Sequence, residues 1–376
     1  MKLLYVVNQA DTFFTHRLPW SRAARDAGWS VHVAGPVEDA SPRLQAEGFV
    51  PLTVPFVRGL GGFGKQAQAA YEAFEVFRAV DADIVHLVGT QVVATLGPVA
   101  RLARARHIVA SITGLGHAFL TPGAMGAILR TITVSGYATT ARAPKVAFVF
   151  QNRDDLEHVR GFFPTRQLQA EIIPGSGVDT EVFRVTPEPE GPITFVLAAR
   201  LLREKGIADF IDAARVLRSR ANPARLVLVG DLDPGNPSSF QEDEVRSWVD
   251  LGLVEWWGYS KDMAATLARA HVVVLPSFRE GLPKVLLEAA AMARPLIATD
   301  VPGCRDVVRS DNGLLVPLGD PNALADAIVR LADDPALRRA MGTASRTLVE
   351  RELSADIISK RYLATYVRLM ERTNGT

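Results

Sequence analysis

Short apolar runs alternate along this chain with longer stretches in which apolar positions recur every three or four residues. The short runs, bounded by turn formers, are strand signals; the longer periodic stretches are helix signals. In the first half this predicts strands over Lys2–Asn8, Ser30–Gly35, Val50–Pro55, Ile84–Gly89, Ile108–Thr113, Val146–Gln151 and Ile172–Pro174. Helices are expected between them, among them Leu18–Ala27, Lys65–Val80 and Gln91–Ala105. The second half repeats the alternation, with strands over Thr194–Ala199, Leu226–Gly230, Val254–Gly258, Val272–Pro276, Leu296–Thr299 and Leu314–Pro317. A long amphipathic helix, Ala355–Met370, ends the chain.

Such alternation belongs to the α/β class with parallel sheets. Between the halves, residues 186–192 read TPEPEGP, a proline-rich and acidic stretch that has the composition of a linker. The expected division is residues 1–186, residues 187–355, and a terminal helix, residues 356–376, packing back on the first domain. The architecture is two doubly wound Rossmann-like domains facing a central cleft. In such sheets ligands bind at the carboxyl ends of the strands, and a cleft between two domains is the natural pocket.

Composition narrows the class. Of 376 residues 48% are hydrophobic and 22% charged, which supports a large core and excludes a disordered chain. The single cysteine, Cys304, excludes an intrachain disulfide framework and fits a reducing compartment. Residues Met1–Asn8 look like a first strand and not a cleavable leader, so a cytoplasmic location is expected.

The net charge of +1 divides into +5 over residues 1–150 and −4 over the rest. No acid occurs between Asp83 and Asp154, a stretch that holds Arg101, Arg104, Arg106, Arg130, Arg142, Lys145 and Arg153. A field of one sign attracts phosphates or an anionic membrane surface; buried strands also lack acids, and both readings stand. His107–Leu129 is uncharged and long enough to span a bilayer, but glycines and Pro122 interrupt it. It reads as a buried strand, a Gly-rich loop and an apolar helix over Ala124–Val134. That helix can rest on the inner face of a membrane without crossing it, and salt-sensitive binding to liposomes is then expected.

The densest candidate chemistry lies in FREGLPKVLLEAAAMARPL, residues 278–296. Glu280 sits in a Gly281-Leu282-Pro283 turn after the strand at Val272. Pro283 suits a first helical turn, whose amides and dipole favour an anionic phosphate. Glu288 is the only charge in Val285–Ala293 and lies about 9 Å along that helix, within reach of a group such as a ribose. Chance spacing of two glutamates is the bland alternative, but an unpaired carboxylate on an apolar helix is costly. Arg200 and Lys205 flank the carboxyl end of the strand at Thr194 and can clamp a diphosphate. Taken alone they are an ordinary solvated loop.

In the first half the turn after Lys2–Asn8 contains no glycine, which argues against a dinucleotide fingerprint there. His16 and Arg17 are expected to open a helix and either contact an acceptor or merely start the helix. Thr113-Gly114-Leu115-Gly116-His117 allows close backbone approach and places a histidine able to bond a sugar hydroxyl or share a proton; a structural histidine is the alternative. His86, inside a strand, reads as core or cleft lining. Gly175-Ser176-Gly177-Val178-Asp179 reads as a tight turn with or without a ligand. Asp81 with Asp83 reads as a turn before a strand; Asp231 with Asp233 either holds a cation or, the preferred reading, is a solvated loop; no cluster of His, Cys or Asp has metal-ligand spacing, so no essential metal is expected.

Together these motifs resemble the family 4 retaining glycosyltransferases, which have the two-domain GT-B fold. The resemblance rests on Ala199-Arg200-Leu201 through Lys205-Gly206, on Gly175 through Asp179, and on Glu280-Gly281-Leu282-Pro283 with Glu288. Asn8–Pro19, Thr113–Phe119 and Gln151-Asn152 are similar to a bacterial branch that builds polysaccharides or glycans on polyprenyl-diphosphate carriers.

The resemblance implies a hexosyltransferase that takes a hexose or acetamido-hexose from a nucleoside-diphosphate sugar, UDP above all, with retention at the anomeric carbon. No cofactor and no nucleic acid partner are implied. Arg200 and Lys205 would neutralise the diphosphate, Glu280 would contact sugar hydroxyls, and Gly281, Leu282 and Pro283 would lie near sugar and phosphate. Glu288 would hold the ribose, Gly258 and Tyr259 would border the base, and His16 and Arg17 would face the acceptor. Many members have a Gly-Gly pair in the first loop, which is absent from Gln9–Thr15. Many also carry a histidine soon after the strand that ends near Thr113, and His117 is displaced from that position. Rival classes are a nucleotide-sugar epimerase of the same fold, marked by conversion of free UDP-sugar without acceptor, and a non-catalytic sugar-nucleotide-binding protein, marked by binding without turnover.

Overall fold

The computed structural model describes residues 1–56, 63–115, 119, 121, 123–163 and 168–371. The chain forms two compact units, Met1–Ser176 with Ile358–Thr376, and Gly177–Ile357.

In the first unit the order is β1 (Lys2–Val6), α1 (Ala10–His16), α2 (Leu18–Asp26), β2 (Ser30–Gly35), α3 (Ser41–Ala46), β3 (Val50–Thr53), α4 (Phe63–Val80), β4 (Ile84–Val88), α5 (Thr90–Leu102), β5 (Ile108–Ile112), α6 (Gly123–Ala141), β6 (Val146–Phe150), α7 (Arg153–Arg160) and β7 (Ala170–Ile172). The sheet runs β3-β2-β1-β4-β5-β6-β7, and every pairing is parallel. β4 and β5 are buried along their whole length, which is why they are mostly apolar and not alternating, with His86 and Ser111 as the polar exceptions. Each buried Leu, Ile or Val contributes about 1.5–3 kcal/mol.

The second unit holds β8 (Thr194–Ala198), α8 (Ile207–Ser219), β9 (Arg225–Val229), α9 (Glu242–Asp250), β10 (Glu255–Trp256), α10 (Met263–Ala268), β11 (Val272–Leu275), α11 (Lys284–Ala291), β12 (Leu296–Thr299), α12 (Cys304–Val307), β13 (Gly313–Val316), α13 (Pro321–Asp333) and α14 (Pro335–Leu348). A π turn over Val349–Leu353 leads into α15 (Ala355–Glu371). This sheet runs β10-β9-β8-β11-β12-β13, again all parallel. Both sheets are doubly wound. Their strand order reverses between β1 and β4 and between β8 and β11, the switch points where such sheets bind ligands.

All expected strands are present, with ends that differ for local reasons. β7 lies earlier than Ile172–Pro174, because Pro174 has no N–H to continue a ladder. β10 is shorter than Val254–Gly258, because Gly258 turns away at φ +68°. The terminal helix α15 belongs to the first unit from Ile358 onward. Its Tyr366 hydroxyl lies 3.0 Å from that of Tyr5 and 2.8 Å from His86 Nδ1, and His86 Nε2 lies 2.7 Å from Ser111 Oγ. Burial, reinforced by Arg17, holds the His86 imidazole neutral.

The boundary between the units falls at Ser176 and Gly177, not in residues 186–192. Two arginines fasten that proline-rich stretch within the second unit. Arg294, 1% exposed, donates to the Thr186 carbonyl (3.1 Å), the Thr186 hydroxyl (2.6 Å) and the Pro187 carbonyl (3.0 Å). Arg338 pairs with Glu188 at 2.9 Å. Among the described residues no helix is long and apolar enough to cross a membrane.

Candidate active site

The second unit brings the candidate residues to the carboxyl edge of its sheet, around the switch point. β8 leads through Ala199 and Arg200 into a loop anchored by Leu201 and Leu202, both fully buried. A short 3-10 turn, Arg203–Lys205, ends at Gly206 with φ +70°. A side chain at Gly206 would collide with the Pro276 carbonyl, so glycine lets α8 start directly beneath the loop that follows β11. Two hydrogen bonds tie the loops together: Phe278 N–H (2.9 Å) and Ser277 Oγ (3.0 Å) both donate to the Glu204 carbonyl. Glu280 N–H donates to Pro302 O at 3.2 Å, which adds the loop after β12. Gly303, at φ +81°, leaves room there for the Glu280 and Gly281 carbonyls, which a Cβ would meet at 2.5 and 2.7 Å.

This framework sets Lys205 Nζ 2.6 Å from Glu280 Oε1, with side chains 21% and 13% exposed. Arg200 pairs with Asp233 at 2.9 Å and is more exposed. Both cations thus have a carboxylate partner. The expectation of Asp231 and Asp233 as a merely solvated pair is corrected for Asp233.

Pro283 is the N-cap of α11, with φ −73° and ψ 114°, and not a residue of its first turn. The helix therefore begins at Lys284, and Glu288 lies about 6 Å along it, closer than expected. The Lys284 and Val285 amides precede the first intrahelical bonds. Glu288 is 4% exposed. Burial raises its pKa, and Lys284, whose Nζ lies 3.2 Å from Oε1, opposes the rise. The carboxylate is not unpaired as the sequence implied; its partner stands one turn earlier.

On the neighbouring strands, Gly258 O accepts from Gly230 N–H at 2.8 Å, and Tyr259 is exposed. A Cβ at Gly230 would strike the Ala199 carbonyl. The loops after β10, β9, β8, β11 and β12 therefore form one continuous rim carrying Gly258, Tyr259, Asp233, Arg200, Lys205, Glu280, Gly281, Leu282 and Pro283.

In the first unit, His16 does not open a helix but ends α1, whereas Arg17 is both the C-cap of α1 and the N-cap of α2. His16 Nδ1 lies 3.5 Å from Ser176 Oγ. Arg17 is 7% exposed, with its guanidinium 4.9 Å from the centre of the Trp20 ring. His117 lies outside the described residues. Gly175 and Gly177 both have positive φ, and a side chain at Gly177 would collide with Ala355. Asp81 and Asp83 pair with Arg106. Among the described residues no group of three or more His, Cys, Asp or Glu side chains could hold a metal ion.

The acid-free stretch divides in space. Arg101, Arg104, Arg106, Arg142 and Lys145 precede β5 and β6, at the amino edge of the sheet. The apolar helix is longer than expected and runs through Arg130. Its Gly136 packs against the Ala94 backbone, while Met125, Ile128 and Ile132 stay about half exposed on its amino-terminal turns, toward the carboxyl edge.

The sequence missed Lys284, the pairing of Asp233 with Arg200, and Gly303. Lys284 had a signal, since a Lys and a Glu four apart on a helix meet on one face. The other two are contacts between loops that no local pattern encodes.

Comparison with known proteins bears on both units. A family model described as Glycosyl transferases group 1 matches residues 192–334, and one described as Glycosyl transferase 4-like matches residues 2–147. The chain is similar to the N,N'-diacetylbacillosaminyl-diphospho-undecaprenol alpha-1,3-N-acetylgalactosaminyltransferase of Campylobacter jejuni. Identity is 25% over 389 residues, which cover 99% of this chain and 100% of that protein. It is also similar to the GDP-mannose-dependent monoacylated alpha-(1-6)-phosphatidylinositol monomannoside mannosyltransferase of Corynebacterium glutamicum, with 28% identity over 78% of each chain. The fold matches the crystal structure of Anabaena HepE in complex with UDP and glucose, with a TM-score of 0.77, 17% identity, and 97% and 99% of the two chains covered.

Proposed function

The chain belongs to the family 4 type of GT-B glycosyltransferases, and from that premise we propose that it moves a hexose or acetamido-hexose from a UDP-sugar to a polyprenyl-diphosphate-linked glycan, with retention. One observation carries this reading: Arg200, Lys205 and Glu280 stand at the switch point of one sheet, with Glu288 on the helix that leaves it. The names of both similar transferases specify lipid-borne acceptors, which supports a lipid-linked acceptor here.

In this reading the donor diphosphate replaces existing carboxylate partners. Arg200 leaves Asp233, an exposed pair worth about 0–1 kcal/mol, and Lys205 turns from Glu280 toward phosphate. Glu280 is then released to bond the sugar hydroxyls. The α11 amides and the Gly281–Pro283 turn receive phosphate oxygens. Glu288 accepts from the ribose hydroxyls, and Gly258 and Tyr259 border the base.

As the bond from the anomeric carbon to the diphosphate breaks, negative charge grows on the leaving oxygen. Fixed cations aimed at it lower the barrier. The acceptor hydroxyl attacks the same face, and its proton passes to a diphosphate oxygen. No side chain is assigned as general base, and no metal takes part. His16 marks the acceptor side of the first unit. The exposed stripe Met125, Ile128 and Ile132 rests on the inner face of the cytoplasmic membrane, where such an acceptor is found.

The test is transfer from a panel of UDP-sugars to a short polyprenyl-diphosphate glycan in EDTA, with the product read by NMR. An α-linked product from an α-linked donor is expected. A β-linked product, or turnover abolished by EDTA and restored by a divalent cation, overturns the mechanism.

A further inference from the structure

Glu288 occupies an unusual position for a ligand-binding carboxylate. It is 4% exposed, on a helix whose Leu286, Leu287, Ala289, Ala290 and Ala291 are all buried. A carboxylate in such surroundings tends to take up a proton unless a cation holds it ionised. Lys284 supplies that cation from the first turn of the same helix, 3.2 Å away, with its side chain one third exposed while that of Glu288 is buried.

The elements packed around α11 bring other charges, most of them engaged elsewhere and the rest, Arg339 and Arg351, exposed. β11 and β12 carry none. On α12, Arg305 bonds Asp300, and Asp306 accepts from the Gly303 amide. On α14, Arg338 binds Glu188, and Arg346 binds Glu350 and the Ala291 and Phe183 carbonyls. Glu352 of the π turn pairs with Arg309, while Arg351 there is exposed. Beyond α10, Arg269 lies over the Trp257 ring, and Arg294 is bonded to Thr186 and Pro187.

We propose that Lys284 is a positioning residue for the donor, holding the Glu288 carboxylate ionised and aimed so that it accepts from both ribose hydroxyls. This rests on the assignment of Glu288 to the ribose. A protonated carboxyl group becomes a donor at one oxygen and loses acceptor capacity. Without Lys284, nucleotide affinity therefore becomes dependent on pH.

The experiment is calorimetric titration of UDP, with GDP as a second probe, at several values between about pH 8 and about pH 5.5. The proteins are wild type, Lys284→Met, Lys284→Arg, Glu288→Gln, and the double variant Lys284→Met with Glu288→Gln. Lys284→Arg should follow the wild-type profile. Lys284→Met should fall progressively below it as pH drops, by up to about tenfold per pH unit. Glu288→Gln should bind weakly throughout, and the double variant should show no added pH dependence. A Lys284→Met profile parallel to wild type, with Glu288→Gln still weak, overturns this inference and leaves the ribose assignment standing. The same holds for a loss in Lys284→Met that is uniform in pH and persists in the double variant, which would make Lys284 a phosphate contact. Wild-type affinity in Glu288→Gln overturns the ribose assignment and this inference with it.

Discussion

Lys205 Nζ lies 2.6 Å from Glu280 Oε1, and the two residues come from loops at adjacent strand ends, 75 positions apart in sequence. The ion pair lies at the switch point of the second sheet, where a bound anion would meet both. If Lys205 neutralises a departing diphosphate, Lys205→Ala should lower turnover by about 10²–10³, as should Arg200→Ala. Initial rates at saturating donor measure this. Wild-type rates in both variants would remove them from the site.

Gly206 supports the same geometry from behind. Its φ is +70°, and a Cβ would strike the Pro276 carbonyl. Gly206→Ala should cost about 1–3 kcal/mol of stability in the second unit. It should also reduce turnover by pushing the Lys205 and Glu280 loops apart. Urea unfolding beside the kinetic assay separates these effects; an unchanged midpoint and rate would mean the loops tolerate the methyl group.

Arg294 is nearly fully buried and fastens the proline-rich stretch by bonds to Thr186 and Pro187. Arg294→Ala should destabilise the protein by about 1–3 kcal/mol, because it empties the buried space of the side chain and removes its hydrogen bonds to the partly buried Thr186 and to Pro187. The stretch should also become open to proteases. Resistance equal to wild type would show that Arg338 and Glu188 suffice to hold it.

His86 sets a pH dependence in the first unit. Burial, then Arg17, lowers its folded pKa well below the ordinary value. The unfolded chain takes up this proton near about pH 6.5, while the folded chain does not. Below that pH the unfolded state binds more protons, so stability is present above it and is lost as pH falls. The slope from this group is up to about 1.4 kcal/mol per pH unit. His86→Gln should flatten the urea midpoint against pH. Some slope should remain, because burial lowers the pKa of His32 and His271 as well.

Met125, Ile128 and Ile132 expose an apolar stripe on α6. If it meets lipid, Ile128→Glu should reduce binding to anionic vesicles by about tenfold or more, since each buried Ile contributes about 1.5–3 kcal/mol. Vesicle flotation measures this, and unchanged binding would free the stripe for another role. Most of the basic residues lie at the opposite edge of the sheet. Salt should accordingly weaken binding less than the sequence alone suggests.

The sequence revealed the central strands because both sheets are parallel and bury them on both faces, so strands such as β8, β11 and β12 are nearly uninterrupted apolar runs. Arg200, Lys205 and Glu280 could be picked out as candidates because each lies in the loop that follows such a run, and Glu288 because it is the only charge in Val285–Ala293. It did not reveal that the TPEPEGP stretch is fixed in the second unit, since the anchors Arg294 and Arg338 are far along the chain. Nor did it reveal the carboxylate partners of the cations. Asp233 meets Arg200 only through the pairing of β8 with β9, and Glu280 meets Lys205 only through that of β8 with β11. Arg17 looked like a polar helix start, yet the aromatic side chains of Trp20 and α15 enclose it.

The most direct test is a thermal shift of the pure protein in EDTA with UDP, GDP and ADP, for wild type and Arg200→Ala. At about 100 times its dissociation constant a ligand adds roughly 2.7 kcal/mol of stability. Selective stabilisation by UDP that is lost in Arg200→Ala is the predicted result. No stabilisation by any of the three nucleotides would contradict a nucleotide-sugar site at the switch point of the second sheet.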